Sequence, residues 1–271
     1  MSFLNTELDG LHDFRTFFRT HSTEAALKTV ENLFDHTLSY WYQSKVFDVL
    51  FLIQEYINYL KVDKWNLNQD MNRYLKEFAG ATEIYFEEID TRFPNPIVLF
   101  ERLLNSEQDA EKRTYVSTVH GDLHASNIMV DSQNNAWLID FSNTGPAHIL
   151  RDFVELEAAI KFSVLETESL RDLCELEACL TSQDAFRDIL EFSHSNSEIQ
   201  KAFDVIKLIR RKASEAISPN NDFSEYNIGL LFHSLIMIRF FTETVSQTKK
   251  EVILFSAYKI FEHLRHHGIK S

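Results

Sequence analysis

Glycine, proline and cysteine are all scarce in this chain. Its 271 residues include six glycines, four prolines and two cysteines. Sheet-rich proteins use glycine at hairpin turns and bulges, so this scarcity predicts long helices joined by few tight turns. Cys174 and Cys179 lie five residues apart in a helical pattern and so on different faces, which indicates neither a metal site nor a disulfide framework. A reducing, cytoplasmic location is therefore expected.

Positive charge is also in short supply. Lysine and arginine total 27 against 41 aspartates and glutamates, which gives a formal net charge of −14. This balance argues against a nucleic-acid partner, because phosphate backbones are bound by clustered basic residues. The most apolar stretch, residues 228–241, is interrupted by His233 and Arg239 and is too short to span a bilayer. We expect a soluble protein that binds neither nucleic acid nor membrane.

Apolar residues at three-to-four spacing predict helices over most of the chain. In the first part, Ser22 is a predicted cap, residues 46–60 and 67–78 are predicted helices, and Gly80 and Pro96 mark a helix stop and a helix start. Residues 1–114 show no strand pattern. Beyond Pro146 we predict helices at about 147–165, 168–180, 183–193, 197–217, 223–246 and 249–266.

The middle of the chain has a different pattern. Residues 115–119, 128–130 and 136–139 are predicted strands, and a polar loop separates the first two. The predicted fold class is therefore mostly α, with a small β-hairpin. We expect one domain over 1–271, made of a helical region (1–114), the loop and hairpin (115–141) and a helical subdomain (142–271).

The polar loop carries the residue types of a kinase catalytic loop. His120, Asp122 and Asn127 follow the pattern H-x-D-x-x-x-x-N, and Asp140-Phe141 ends a later strand. Phosphoryl transfer needs a carboxylate that accepts the proton of the attacking hydroxyl, and Asp122 suits this role. Magnesium prefers oxygen ligands, which the Asn127 amide and the Asp140 carboxylate can supply. The hairpin between Asn127 and Asp140 is expected to bring these two groups together.

These residues resemble the signature of the aminoglycoside phosphotransferase and choline kinase-like enzymes, a branch of the protein-kinase-like fold. The match covers His120 to Asn127 and Ile139 to Phe141 position by position, and Asp152-Phe153 resembles a later family element. The resemblance implies the helical C-terminal lobe (C-lobe) of that fold, with ATP and Mg²⁺ as cofactors and a small-molecule hydroxyl as the acceptor. By residue, it implies Asp122 as the catalytic base and Asn127 and Asp140 as magnesium ligands. It also implies loop-supporting roles for His120, Gly121, His124 and Asp152.

Two other interpretations of the loop are weaker. A polar turn between two strands does not explain the later Ile-Asp-Phe. His120, Asp122 and His124 on alternate positions could bind a transition metal, but no other histidine or cysteine cluster completes the ligand shell.

The nucleotide-binding parts of a kinase are missing from the sequence. The glycines stand at 10, 80, 121, 145, 229 and 268, too far apart for a G-x-G-x-x-G loop, and no upstream lysine lies in a strand pattern such as V-A-I-K. An N-terminal lobe (N-lobe) is therefore not recognisable. Three hypotheses follow: the N-lobe was removed or lies on a partner polypeptide, the chain is an inactive kinase-derived binding or signalling module, or the helical N-terminal region supplies an unusual donor site.

The sequence does not identify the acceptor. Acidic residues near the loop could face a cationic acceptor, with Glu155, Glu157, Asp222 and Glu225 as candidates. Each lies in or beside a helical pattern, where exposure to solvent is the simpler interpretation. For His233, on an apolar helix, we expect core packing.

Overall fold

A computed structural model describes residues 10–62, 65–105, 111–241 and 243–266. It confirms a mostly helical protein, with 58% helix and 15% strand. The helices are α1 Phe14–Thr20, α2 Thr23–Asn32, α3 Ser39–Gln43, α4 Leu52–Leu60, α5 Leu67–Tyr74, α6 Pro96–Leu104, α7 Arg151–Ala159, α8 Leu170–Leu180, α9 Ser197–Ile217, α10 Ser224–Ile236 and α11 Gln247–His266.

The strands form small antiparallel sheets. They are β1 His12–Asp13, β2 Val46–Phe51, β3 Glu83–Phe86, β4 Thr91–Pro94, β5 Glu111–Val119, β6 Ile128–Val130, β7 Ala136–Leu138 and β8 Gly145–His148. Their spatial orders are β1-β6-β7, β2-β5-β8 and β3-β4. The predicted hairpin is confirmed as β6 and β7, with Ile128 opposite Leu138 and Val130 opposite Ala136.

Several helix ends follow from local chemistry that the sequence predicted. The Ser22 side chain accepts a hydrogen bond from the Ala25 amide and caps α2. Asn95 caps α6 in the same way, and Pro96 occupies the first turn, where its missing amide costs nothing. Gly80 has a positive φ of 73°, as expected at a stop, but α5 has already ended at Tyr74.

Strands in the first part of the chain correct the prediction of an all-helical region there. Residues 46–60 were expected to form one helix, but 46–51 form β2 and only 52–60 form α4. The strand forms because β2 pairs along its whole length with β5, from Val46 opposite Val116 to Phe51 opposite Glu111. A second hairpin, β3 with β4, was also missed. These pairings override a weak local preference for helix.

The second part contains further corrections. Residues 183–193 were predicted as a helix but are irregular, because the Asp188 carboxylate accepts the amides of Asp184 and Ala185 and so caps a turn. Residues 147–165 begin as the end of β8 and continue as α7 and a π-helical turn over Ile160–Val164. The predicted helix 223–246 ends at Ile236, and a 3₁₀ turn follows over Met237–Arg239.

The C-terminal helices pack around a buried cluster of charged groups. Arg210 on α9 donates two hydrogen bonds to the Glu157 carboxylate, of 2.9 and 2.6 Å, and Tyr226 on α10 donates a third of 2.7 Å. Lys161 bonds Glu177 at 2.9 Å. All of these side chains are buried among apolar neighbours, so each charge is compensated where water cannot reach it. In the described part of the chain, no helix is both long and apolar enough to cross a bilayer.

Candidate active site

The loop His120–Asn127 connects the two main sheets. It leaves the end of β5, which pairs with β8, and enters β6, which pairs with β7. Both ends of the loop are thus anchored in paired strands. The loop must make a sharp reversal between them, and its conformation is set by contacts from neighbouring elements.

Asp152, in the first turn of α7, holds the start of the loop. Its carboxylate accepts the amide hydrogens of His120 (2.8 Å) and Gly121 (2.9 Å), and also the Tyr42 hydroxyl (2.8 Å). The side chain is fully buried. Burial raises the pKa of Asp152, and the two amides and Tyr42 oppose that rise. The structure therefore places Asp152 in contact with the loop.

His120 links the loop to the end of the hairpin. Its Nε2 lies 3.0 Å from the Ile139 carbonyl oxygen, which can only accept, so Nε2 carries the proton. The Thr144 hydroxyl donates to the His120 carbonyl at 3.2 Å. The ring is buried and packs against Phe141 at 5.4 Å. His120 thus fixes the strand end next to Asp140.

The backbone conformation and the close packing at residue 121 both require glycine. Its φ is +79°, which side chains disfavour, and a Cβ would lie 2.3 Å from the Asn143 carbonyl oxygen. Tyr59, on α4, donates its hydroxyl to the Gly121 carbonyl, and the Arg151 guanidinium lies 3.8 Å from the centre of the Tyr59 ring. A side chain at this position would push the loop away from these contacts.

The hairpin links the backbone near the two predicted metal ligands, Asn127 and Asp140. The Ile139 amide donates to the Asn127 carbonyl at 3.1 Å, so Asp140 follows directly after a residue bonded to Asn127. The side-chain amide nitrogen of Asn127 donates to the Asp122 carbonyl at 2.8 Å, and its side-chain oxygen is thereby left for another partner. Asp140 is exposed and has a left-handed backbone, with φ 61°. Hydrogen bonds from Ser142 hold the pKa of Asp140 below its ordinary value, so the carboxylate is ionised.

A three-ligand transition-metal site is not formed. Among the residues that the structure describes, no group of three or more His, Cys, Asp or Glu side chains is arranged to hold a metal. His120 already uses Nε2 on the Ile139 carbonyl. The interpretation of His120, Asp122 and His124 as transition-metal ligands is therefore wrong.

Asp122 lies between an acid and a histidine. His124 accepts the Ser126 amide at Nδ1 (3.2 Å), so its proton is on Nε2, which lies 3.8 Å from the Asp122 carboxylate. On the other side, Glu155 accepts the Leu123 amide at 2.9 Å. Burial, the Asp122 charge and a hydrogen bond to Asp122 all raise the pKa of Glu155 well above its ordinary value. The protonated form of Glu155 is therefore favoured beside Asp122.

A cavity of about 290 Å³ opens beside Asp122. This acceptor-side pocket is lined by Arg15, Asp122, His124, Ser126, Glu155, Ala158, Ala159, Ser163, His233, Ile236, Met237, Phe240 and Thr244. His233 is buried, burial lowers its pKa to about 3, and its Nε2 has no hydrogen-bond partner among the described residues.

One of these pocket residues, Arg15, has no sign in the sequence. Glu155 was a candidate for facing an acceptor, although solvent exposure was the simpler interpretation, and it lies three residues after Asp152 on the same side of α7. His233 is buried, as expected, but it also lines the pocket. Arg15 and His233 are brought to the pocket by tertiary packing alone.

Residues 65–234 match the family model of ternary complex associated domain 9. The chain belongs to this family. No curated protein matches it.

The ternary complex associated domain 9 region contains most of the site. Residues 65–234 include the whole loop, the hairpin, Asp152, Glu155 and His233. Three other residues of the site lie before residue 65: the pocket residue Arg15, and Tyr42 and Tyr59, which hold Asp152 and the loop. The domain thus carries the candidate catalytic groups, while helices preceding it contact them from outside.

Proposed function

We propose that this chain is the C-lobe of a protein-kinase-like phosphotransferase, similar to the aminoglycoside phosphotransferase and choline kinase-like enzymes. It would transfer the γ-phosphate of Mg·ATP to a hydroxyl group of a small molecule. The observation that carries the proposal is the joint placement of Asp122, Asn127 and Asp140. Asn127 bonds the backbone of Asp122 and of Ile139, and Asp122 lines the acceptor-side pocket.

Asp122 is the general base of the proposed reaction. The acceptor hydroxyl, bound in the acceptor-side pocket, gives its proton to Asp122 as its oxygen attacks the γ-phosphorus. The bond between the γ-phosphorus and the bridging oxygen breaks, and ADP leaves with that oxygen. Glu155 in its protonated form and the N–H of His124 would orient the Asp122 carboxylate.

Asn127 and Asp140 fit a magnesium ion. One amide oxygen and one ionised, exposed carboxylate are the kind of partial ligand set that Mg²⁺ accepts, since it keeps several waters and binds phosphate oxygens. Bound there, the ion would neutralise charge on the transferring phosphate. His120 and Asp152 hold the backbone on which these ligands are mounted, through the bonds to Ile139 and to the loop amides.

A second candidate is a kinase-derived binding module without activity. The glycines are too dispersed for a phosphate-covering loop. Next to Asp140, the side chains of Trp137, Ile139 and Phe141 are 59%, 45% and 53% exposed. Such an apolar surface beside the metal ligands suits contact with another protein segment, whether an N-lobe or a different partner.

Titration of the chain with Mg·ATP tests the proposal. We expect binding in the millimolar range or tighter, weakened at least about tenfold by Asp140→Ala, because that variant removes a charge-assisted interaction with the ion. Asp48→Ala, which removes an exposed carboxylate from β2, is the matched control and should bind as the wild type does. Absence of binding at millimolar nucleotide would refute a donor site in this chain alone. Equal binding by the Asp140→Ala variant would refute the metal role and favour the binding module.

A further inference from the structure

Arg15 lacks a carboxylate partner of the kind that the buried Arg151 and Arg210 have. Its Nε is buried and has no hydrogen-bond partner among the described residues, and one Nη2 contact, to the Ser163 hydroxyl, is long at 3.5 Å. No carboxylate in the described ranges lies within 4.0 Å of it. Arg210, by contrast, forms a bidentate pair with Glu157. A guanidinium without a counter-ion in a partly desolvated place is costly, unless a ligand supplies the anion.

Arg15 lies on the wall of the acceptor-side pocket, together with other hydrogen-bonding groups. Ser126, Ser163 and His124 line the same cavity, and the Arg15 charge is close enough to His124 to lower the pKa of its imidazole, an effect that adds to the larger one of burial. The neighbouring groups are hydroxyls and a neutral imidazole, which do not compete with an anion for the guanidinium. These side chains form a polar end of the pocket.

The rest of the pocket has a different character. Ile236, Met237 and Phe240 supply an apolar wall, and Asp122 with Glu155 supplies acids that accept a proton or a hydroxyl hydrogen bond. The cavity of about 290 Å³ suits a small compound. One ligand can therefore place a hydroxyl at Asp122 and a second polar group at Arg15.

We propose that Arg15 forms an anion subsite in the acceptor-side pocket, and that the acceptor is a small hydroxylated compound bearing a carboxylate or a phosphate. That this compound is a phosphate acceptor rests on the proposed phosphotransferase function. That an anion binds at Arg15 is independent of that function. A cationic acceptor, for which the acidic residues of the sequence were candidates, is not expected to bind beside this guanidinium.

Anion binding without nucleotide tests the subsite. The probes are inorganic phosphate and glycolate, with ethylene glycol as the neutral counterpart, titrated into the chain and followed by calorimetry or by NMR shifts of loop amides. We expect both anions to bind and ethylene glycol not to. Arg15→Gln should weaken the anions about tenfold or more, and Arg15→Lys less, since it keeps the charge but loses the planar fork. Unchanged binding in Arg15→Gln would overturn the proposal.

Arg19→Gln is the matched control, because Arg19 lies one turn further along α1 and bonds the carbonyls of Ser163 and Val164 instead. It should bind the anions like the wild type; an equal loss there would show a general charge effect and overturn the subsite. A thermal melt of each variant checks that it is folded. If Arg15→Gln does not fold, the anion affinity of Arg15→Lys still tests the subsite.

Two further arms separate the subsite from the proposed reaction. Asp122→Asn should keep anion binding while abolishing phosphoryl transfer. If transfer is absent in the wild type but anions still depend on Arg15, the phosphotransferase proposal fails and the subsite stands. The anion could also be the donor phosphate. If Arg15→Gln weakens Mg·ATP and leaves glycolate unchanged, Arg15 serves the nucleotide and the acceptor assignment is wrong.

Discussion

Replacing Asp152 by asparagine should loosen the candidate catalytic loop more than any other isosteric change near it. The carboxylate accepts three hydrogen bonds, from the amides of His120 and Gly121 and from the Tyr42 hydroxyl, all between 2.8 and 2.9 Å. Asparagine has the same shape but only one acceptor oxygen. Its NH₂ group must then face an amide N–H or the tyrosine hydroxyl.

The cost follows from the hydrogen bonds that the substitution breaks. If the asparagine oxygen keeps the hydrogen bonds from the His120 amide and the Tyr42 hydroxyl, the Gly121 amide loses its acceptor. It then faces the asparagine NH₂ group, another donor, in a buried site. A hydrogen bond to a charged group contributes about 1.5–3 kcal/mol, and an unsatisfied buried donor adds about 1–3 kcal/mol. Because the backbone can relax partly, we expect the free energy of unfolding to fall by about 2–4 kcal/mol. For a chain of this size, that lowers the thermal midpoint by roughly 4–16 °C.

Urea unfolding followed by circular dichroism measures this destabilisation, and hydrogen exchange locates it. The amides of His120 and Gly121 should exchange much faster in Asp152→Asn, while the α9 amides change only with global stability. Tyr42→Phe removes one of the three bonds without creating a facing donor, so it should cost only about 1 kcal/mol. A destabilisation below about 0.5 kcal/mol in Asp152→Asn, or unchanged exchange at the two amides, would refute the argument that this carboxylate holds the loop.

Two other changes probe the frame around the site. Gly121→Ala should lower the free energy of unfolding by about 2 kcal/mol or more and abolish the proposed phosphoryl transfer, because its Cβ meets the Asn143 carbonyl at a disfavoured φ. Gly145→Ala, whose Cβ has nothing within 4 Å, should have little effect in urea unfolding. Glu157→Gln should cost about 3–5 kcal/mol by leaving Arg210 buried without its partner. Burial favours the protonated form of Glu157, but Arg210 outweighs it and lowers the pKa, so the carboxylate contributes stability above about pH 4.5 that is lost on acidification. The free energy of unfolding should therefore fall less between about pH 7 and about pH 3 in the Gln variant than in the wild type. An equally steep fall in the variant would contradict this assignment.

The sequence predicted the helical character and the hairpin because both depend on local patterns. Regular apolar spacing defines α9, and the cap at Ser22 and the proline at 96 define two helix starts. The strand at 46–51 could not be found this way. Its residues are apolar nearly all round, so a period of 2 and a period of 3.6 fit equally well, and pairing with β5 decides between them.

Site residues were predictable where they are close in sequence. Asp122 and Asn127 share one loop, and Asp140 follows at the end of the adjoining hairpin, so spacing alone predicted that they lie in one region of the fold. Arg15 and Tyr59 reach the same loop and pocket from distant helices, and neither belongs to a recognisable motif. Only the packing of α1 and α4 brings them there.

The supports of the loop explain how candidate catalytic groups can stay in place on a mostly helical body. Asp152 holds the loop amides, His120 holds Ile139, and Tyr59 holds the Gly121 carbonyl, so three separate elements fix one short segment. All three contacts lie within the chain. Under the proposed function, they would order the loop, so that less of the energy of donor binding is needed for this purpose. Under the proposed function, a partner segment would cover the phosphates beside the exposed Trp137, Ile139 and Phe141.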